Sequence, residues 1–315
     1  MSTPPVEIDA PDISAHRPGN TGVPYVVSLD SGAAGPHVVI TALVHGNELC
    51  GAWALVRLLE CGIRPRAGRL TLAFVNTAAF EQFDPAQPTT TRYLDEDLNR
   101  VWDLATLDGP RQSRELERAR ALRPLIEEAD WLLDLHSMQL PAQPLLLTGP
   151  DDKGKRLAKR MGYPALAVAD RGHSSGGRMR DFGAFGDPES PRTAMLVECG
   201  QHWARPSITV AITTCRRFLE ALEVVEPALL DRLCPLPEPA PQRMVEVTDA
   251  VTVGSAKFRF TQDFQGLEVI PKAGTVIAHD GTRPIRTPYD QCILIMPSRR
   301  LVKGLTAVRL GQFVA

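Results

Sequence analysis

The 315-residue chain lacks any excess of charge of one sign: 35 basic against 37 acidic residues leave a net of −2. This argues against nucleic acid or an anionic membrane surface as partner, because both are held by a basic patch. The basic residues are scattered, and Arg299-Arg300 is too short a run to act as one. No apolar stretch approaches the ~20 residues that span a bilayer. Met1 to Asn20 carries Pro, Asp and Ser where a signal or transit peptide needs an apolar or basic segment. The six cysteines (Cys50, Cys61, Cys199, Cys215, Cys234, Cys292) form no C-x-x-C pair and read as reduced, mostly buried thiols of a cytoplasmic protein. Internal repeats and low-complexity segments are also missing. What remains is a soluble globular composition, 43% apolar and 23% charged, long enough for one large domain and a small one.

Periodicity predicts alternating strands and helices. Residues 37–44 are a continuous apolar run of strand length, as in a strand buried on both faces. Asn47 has the side chain of an N-cap, and Leu49, Ala52, Trp53, Val56 and Leu59 then recur at helical spacing up to Gly62. Further strands are predicted over 70–75, 131–135, 165–168 and 193–197, and helices over 111–129, 153–161 and 207–223. The alternation predicts an α/β domain with a mainly parallel sheet. Pro235, Pro237, Pro239 and Pro241 cannot continue a helix or a central strand. Beyond them come short β-rich runs punctuated by Gly and Pro. The chain is therefore expected to divide into an α/β domain over 1–233, a Pro-rich linker over 234–242 and a small all-β domain over 243–315.

The chemistry gathers at the predicted strand ends, where ligands of such sheets sit. His45-Gly46-Asn47-Glu48 puts a histidine and a glutamate in one strand-to-helix turn, and Asp134-Leu135-His136 delivers a second histidine from an apolar strand. Two histidines and a carboxylate are a ligand set for a catalytic zinc with one position open for water. Glu198, isolated in Leu196-Val197-Glu198, supplies the proton carrier such a centre needs. An H-x-x-E pair alone is a weak signal, since a chain with seven histidines contains one by chance roughly a third of the time. Three distant segments converging on one rim is the stronger observation. His173 in a Gly/Ser-rich loop, His202 close behind Glu198 and His279 in a turn are the competing ligands.

His45-Gly46-Asn47-Glu48, Thr91-Arg92-Tyr93-Leu94-Asp95-Glu96-Asp97-Leu98-Asn99-Arg100, Asp134-Leu135-His136 and Val197-Glu198 together resemble the aspartoacylase/succinylglutamate desuccinylase family. That family is a branch of the zinc carboxypeptidases of the carboxypeptidase A type. The likeness spans most of residues 37–202 and is most specific in the Thr-Arg-Tyr…Asp-Leu-Asn-Arg segment. It implies a carboxypeptidase-like, mostly parallel or mixed sheet flanked by helices, with a small C-terminal β domain capping the active site. It implies one zinc per subunit held by His45, Glu48 and His136, with Glu198 as general base and then general acid. Arg92 matches the arginine that polarises the scissile carbonyl, and Asn99 and Arg100 match the pair that binds a substrate carboxylate. Arginine is suited to both tasks by its fixed charge and bidentate fork. The implied reaction is hydrolysis of the amide bond of a small N-acyl amino acid, with no nucleic acid or membrane as partner and a homo-oligomer left open.

The chain also departs from the family. The two named activities need a second carboxylate-binding group, for which Arg178 and Arg180, or Arg192, are candidates outside any alignable motif. Cys199-Gly200-Gln201-His202 stands where a more apolar, Pro-containing run is typical, and Ser137-Met138 follows His136. Tyr289 reads either as the family's substrate-contacting tyrosine or as a packed residue of a β turn. These differences leave the acyl group and the amino acid open. The alternatives are an N-acetyl diamino acid deacetylase, a metallocarboxypeptidase acting on short peptides, and a non-catalytic zinc- or ligand-binding protein.

Overall fold

A computed structural model describes residues 4–172, 176–235 and 240–314. His173 and residues 236–239 of the expected linker lie outside the described residues. Strands β1 (Val26–Asp30), β2 (His37–Ala42), β3 (Arg69–Phe74), β4 (Trp131–Met138), β5 (Leu145–Leu147), β6 (Leu166–Ala169) and β7 (Thr193–Gln201) alternate with helices. The helices are α1 (Leu49–Glu60), the short α2 (Thr77–Phe80) and α3 (Leu104–Leu107), then α4 (Arg114–Glu128), α5 (Asp152–Met161), α6 (Pro206–Leu222) and α7 (Pro227–Leu233). The C-terminal part adds β8 (Arg243–Thr252), β9 (Phe258–Phe260), β10 (Val269–Ile270), β11 (Val276–Asp280), β12 (Arg283–Arg286), β13 (Cys292–Ile295) and β14 (Thr306–Val314).

The central sheet has the order β1-β3-β2-β4-β7-β5-β6-β8-β14-β13-β10. Its core β3-β2-β4-β7 is parallel, while β1 runs antiparallel to β3 and β5 antiparallel to β7, so the sheet is mixed. The C-terminal strands join this sheet through a parallel β6–β8 pair instead of hanging from the linker. A second, three-stranded antiparallel sheet, β12-β11-β9, completes the C-terminal part. Among the described residues no helix is long and apolar enough to cross a membrane.

Alternation along the buried strands sorts side chains into two cores, as the two-residue period of a strand requires. Val38, Ile40 and Ala42 of β2 pack with α1, α5 and α6, whereas Val39 packs with α4 on the other face. The helix expected over 111–129 begins at Arg114, because the Ser113 hydroxyl accepts from Leu116 N and caps it. Asn47 is not the cap of α1; Glu48 holds that place, and Asn47 donates to Pro88 O. The strands carrying the site run longer than the apolar pattern suggests. His136 and Glu198 lie within β4 and β7, opposed in register, and only His45 lies past the end of its strand. The six cysteines are free thiols, five of them buried.

Helix α1 meets the sheet at Gly51, where an added Cβ would lie 2.9 Å from the Cβ atoms of both Ala42 and Leu135. Gly51→Ala is therefore expected to cost about 1–3 kcal/mol by overpacking. Urea denaturation checks this, and an unchanged midpoint would mean that helix and sheet part freely.

His37, at the start of β2, is buried between Thr71, at 2.9 Å from Nε2, and Arg69, whose Nη2 donates to Nδ1 at 3.0 Å. Burial first, and then the Arg69 charge, push this imidazole down to about 4, against the weaker pull of Glu128 and Asp130. The unfolded chain binds this proton near pH 6.5, before the folded one does. The His37 contribution is thus complete above pH 6.5 and is lost as pH falls towards 4, by roughly 2–3 kcal/mol. The pH slope of unfolding between 6.5 and 4 should flatten in His37→Gln; an identical slope would assign it elsewhere.

Candidate metal centre and active site

Three side chains converge at the edge of β2, β4 and α1. His45 follows β2, Glu48 caps α1 and His136 lies on β4; one ligand atom from each falls within 4.8 Å of the others, and all three are buried. The Nδ1 atoms of His45 and His136 approach the two oxygens of Glu48, at 2.7 and 3.0 Å. The outer nitrogens are held from behind: His45 Nε2 lies 2.9 Å from Asp97 Oδ1, and His136 Nε2 lies 2.8 Å from Asp134 Oδ2. Each ring thus has a carboxylate at both nitrogens, with Nδ1 turned inward to Glu48 and Nε2 outward, and Arg92 Nη2 also reaches His45 Nε2 at 2.9 Å. Asp134 is itself fixed by the Thr41 hydroxyl, which donates to Oδ1 at 2.7 Å. Imidazoles oriented by outer carboxylates, with their inner nitrogens aimed at a shared carboxylate, are an arrangement that suits divalent transition metals. The donor set fits a metal ion, which would be held by His45 Nδ1, Glu48 and His136 Nδ1.

The electrostatics follow from the same contacts. Burial opposes a charge on Glu48, but the two histidines outweigh it and hold this carboxyl well below the usual carboxylate range. The His136 imidazole also resists charging through burial, and Asp134 and Glu48 hold it well above its ordinary value. Positive charge is thus favoured between these groups, whether supplied by protons or by a metal. Glu198 behaves oppositely. Burial, and next the Glu48 charge, push it up to about 8, and its Oε2 has no hydrogen-bond partner.

Around this centre lies a cavity of about 530 Å³ lined by all three candidate ligands and by Arg92, Asn99, Arg100, Arg178 and Glu198. Arg92 Nη1 donates to Glu48 Oε1 at 3.1 Å. Asn99 accepts from Met179 N at 3.0 Å, and Arg100 Nη1 donates to the Asn99 carbonyl at 2.7 Å. Arg178 reaches the cavity already paired with Asp170 and Asp181. Arg180 and Tyr289 stand outside the lining. Arg180 donates to the carbonyls of Thr148 and Ala194, and the Tyr289 hydroxyl bonds Thr248 at 2.6 Å. Among the competing histidines, His202 lines the cavity but bonds Ser137 at 2.8 Å, and burial pushes it down to about 4. His279 lies in β11, opposite Arg259, away from the cavity.

Sequence reasoning passed over three organising carboxylates. Asp97 and Asp134 are the outer partners just described. Glu115, fully buried on α4, accepts from Asn76 and from the backbone N–H groups of Leu94, Asp95 and Glu96, tying down the loop that carries Arg92 and Asp97. The signal for Asp134 was an acid in an apolar strand, since buried charges demand partners. Glu115 gave none, because it looks like one more charge on an Arg/Glu-rich helix.

Residues 34–187 match the family described as the succinylglutamate desuccinylase/aspartoacylase catalytic domain. That catalytic domain is what this part of the chain is similar to. Its fold is shared with succinylglutamate desuccinylase of Vibrio parahaemolyticus at 18% identity and a TM-score of 0.65, covering 93% of this chain and 87% of the other. The Vibrio cholerae succinylglutamate desuccinylase aligns at 18% identity and a TM-score of 0.66, over 92% of this chain and 86% of the other. A product-bound ectoine utilization protein, EutE (DoeB) of Ruegeria pomeroyi, aligns at 18% identity and a TM-score of 0.59, over 91% and 88%. No curated protein matches the chain in sequence.

Removing the charge behind one candidate ligand tests the outer shell. Asp134→Asn is expected to weaken zinc affinity about 10–100-fold with the fold intact. Equilibrium dialysis against a competing chelator reads this directly, and unchanged affinity would mean that His136 needs no such support.

Proposed function

We propose that this protein is a zinc-dependent amidohydrolase that cleaves the amide bond of a small N-acyl amino acid. The observation that carries the reading is the pairing of opposites in one cavity. A convergent His45–Glu48–His136 set favours a cation, and beside it Glu198 holds a buried oxygen with no partner. The family whose catalytic domain residues 34–187 match supports the same reaction class.

Zinc bound to the three ligands supplies a Lewis acid that polarises a carbonyl and acidifies a water molecule. Glu198 takes the proton of the attacking water at Oε2 and returns it to the departing nitrogen, so that water and amide give a carboxylic acid and a free amine. Burial raises the proton affinity of this carboxyl, which suits it to return the proton, and a cation at the ligand set would favour the ionised form that takes it. Arg92 is partly exposed, 36% by its side chain, and points its guanidinium at the same centre, where it donates to the oxyanion formed from the carbonyl. Asn99 and Arg100 orient the amino-acid carboxylate. The C-terminal residues 243–315 serve as the β unit that narrows the mouth, a role supported by Gln265, Leu267, Met296 and Arg300 in the cavity wall.

Glu198→Gln keeps the shape and removes the base. Its turnover of the best N-acyl amino acid is expected to fall about 10²–10⁴-fold while metal content stays at one ion per chain. Amine release and metal analysis on the same sample check this; most of the turnover surviving with metal bound would remove Glu198 from the reaction.

A further inference from the structure

The wall of the cavity carries information about the substrate that the motifs do not. Four of its six guanidinium groups are matched by carboxylates of the protein. Arg178 Nη2 donates to Asp170 Oδ1 at 3.1 Å, and its Nε pairs with Asp181. Arg309, on β14, places Nε 3.0 Å from Asp170 Oδ2. Arg92 is engaged by Glu48 and Asp97, and Arg299 by Asp263. Asp181 also pairs with Arg180, whose charge is spent behind the wall against backbone carbonyls. Arg300 sits at the exposed rim and donates to Tyr93. Among the described residues, the enclosed guanidinium left without a carboxylate within salt-bridge distance is Arg100, whose Nη1 donates only to a backbone carbonyl.

The rest of the wall is apolar. Leu145 and Leu147 of β5 stand opposite Glu198 and Leu196 of β7, so these side chains share one face of the sheet. Leu267 and Met296 approach the same face from the C-terminal part, and all of these residues except Glu198 belong to or pack on one hydrophobic cluster. The surface beyond the proposed base is thus greasy. A second substrate carboxylate placed there, inside the rim that carries Arg300, would lose its water and meet no enclosed unpaired cation among the described residues, a cost of several kcal/mol for a buried unpaired charge. A cationic side chain fares no better, because Asp97 and Asp170 are already paired.

We propose that this chain acts on N-acyl amino acids bearing a single carboxylate, read by Arg100, and an apolar group seated on Leu145, Leu147, Leu196, Leu267 and Met296. This rests on the amidohydrolase reading for its chemistry, but the pocket assignment has its own readout in binding. The substrate class differs from the dicarboxylic compounds named by the succinylglutamate desuccinylases that share the fold.

The test uses the zinc-loaded full chain and four compounds: N-acetylleucine, N-hexanoylglycine, N-acetylaspartate and N-succinylglutamate. Amine release gives kcat/KM, and calorimetry on the zinc-loaded Glu198→Gln variant gives binding without turnover. One of the first two compounds is expected to exceed both dicarboxylic ones at least tenfold in each measurement. Which of the two wins tells whether the apolar group is the side chain or the acyl chain. Met296→Lys, which puts a free cation on the wall, should narrow that ratio. A dicarboxylic compound preferred in turnover would overturn the pocket assignment and leave the reaction standing. Tenfold tighter binding of an apolar compound with no turnover of any would uphold the assignment and sink the reaction. Failure of all four to bind would overturn the assignment.

Discussion

The structure depends on one buried carboxylate. Glu48 stands at the first turn of α1 and touches both histidines through its two oxygens, while accepting from Arg92 and from Ser137 N at 2.9 Å. Taking an ion of this kind out of water costs several kcal/mol unless every lone pair is met. The surroundings meet them from three separate parts of the chain: the turn after β2, the strand β4 and the Arg92 loop. The parallel β2–β4–β7 core sets the spacing, Gly51 brings α1 close enough, and Glu115 pins the loop. The site is thus assembled by the fold, and its charges are what make so close an arrangement tolerable.

Two glutamates in one cavity are driven apart by their neighbours. Imidazoles keep Glu48 ionised, and burial beside that fixed negative charge raises the proton affinity of Glu198. One is suited to hold a cation and the other to carry a proton, a division of labour set by environment and not by residue type. The outer carboxylates extend the same logic by fixing which ring nitrogen of each histidine faces inward. On the opposite wall the logic reverses. Arginines and aspartates cancel one another, and what remains for a ligand is one enclosed guanidinium, Arg100, and an apolar face.

How much of this was legible in the sequence varies by element. The apolar run over 37–44, the helical spacing after Asn47 and the alternation that follows gave the α/β core with small errors at the ends. The candidate ligands were legible because histidine at a strand end and glutamate three residues on are unusual in apolar context. The ends of β4 and β7 were missed because Ser137 and Gln201 look polar, although both are buried. The three-residue β5 is too short to carry a period. The C-terminal strands were expected beyond the linker as a separate domain, whereas β8 pairs with β6 over 166–169. Pairing between segments so far apart leaves no local trace, and the same holds for Glu115 and for the Asp170–Arg309 contact.

The central claim is that the two inward-facing Nδ1 atoms and the Glu48 carboxylate hold a metal ion. Anomalous diffraction at the zinc edge from crystals of the zinc-loaded protein addresses it most directly. The account predicts one strong peak bounded by His45 Nδ1, His136 Nδ1 and Glu48, with Asp97 and Asp134 still behind the rings. A peak on the Nε2 side of either ring, or on another set of residues with these three left in contact, would contradict it.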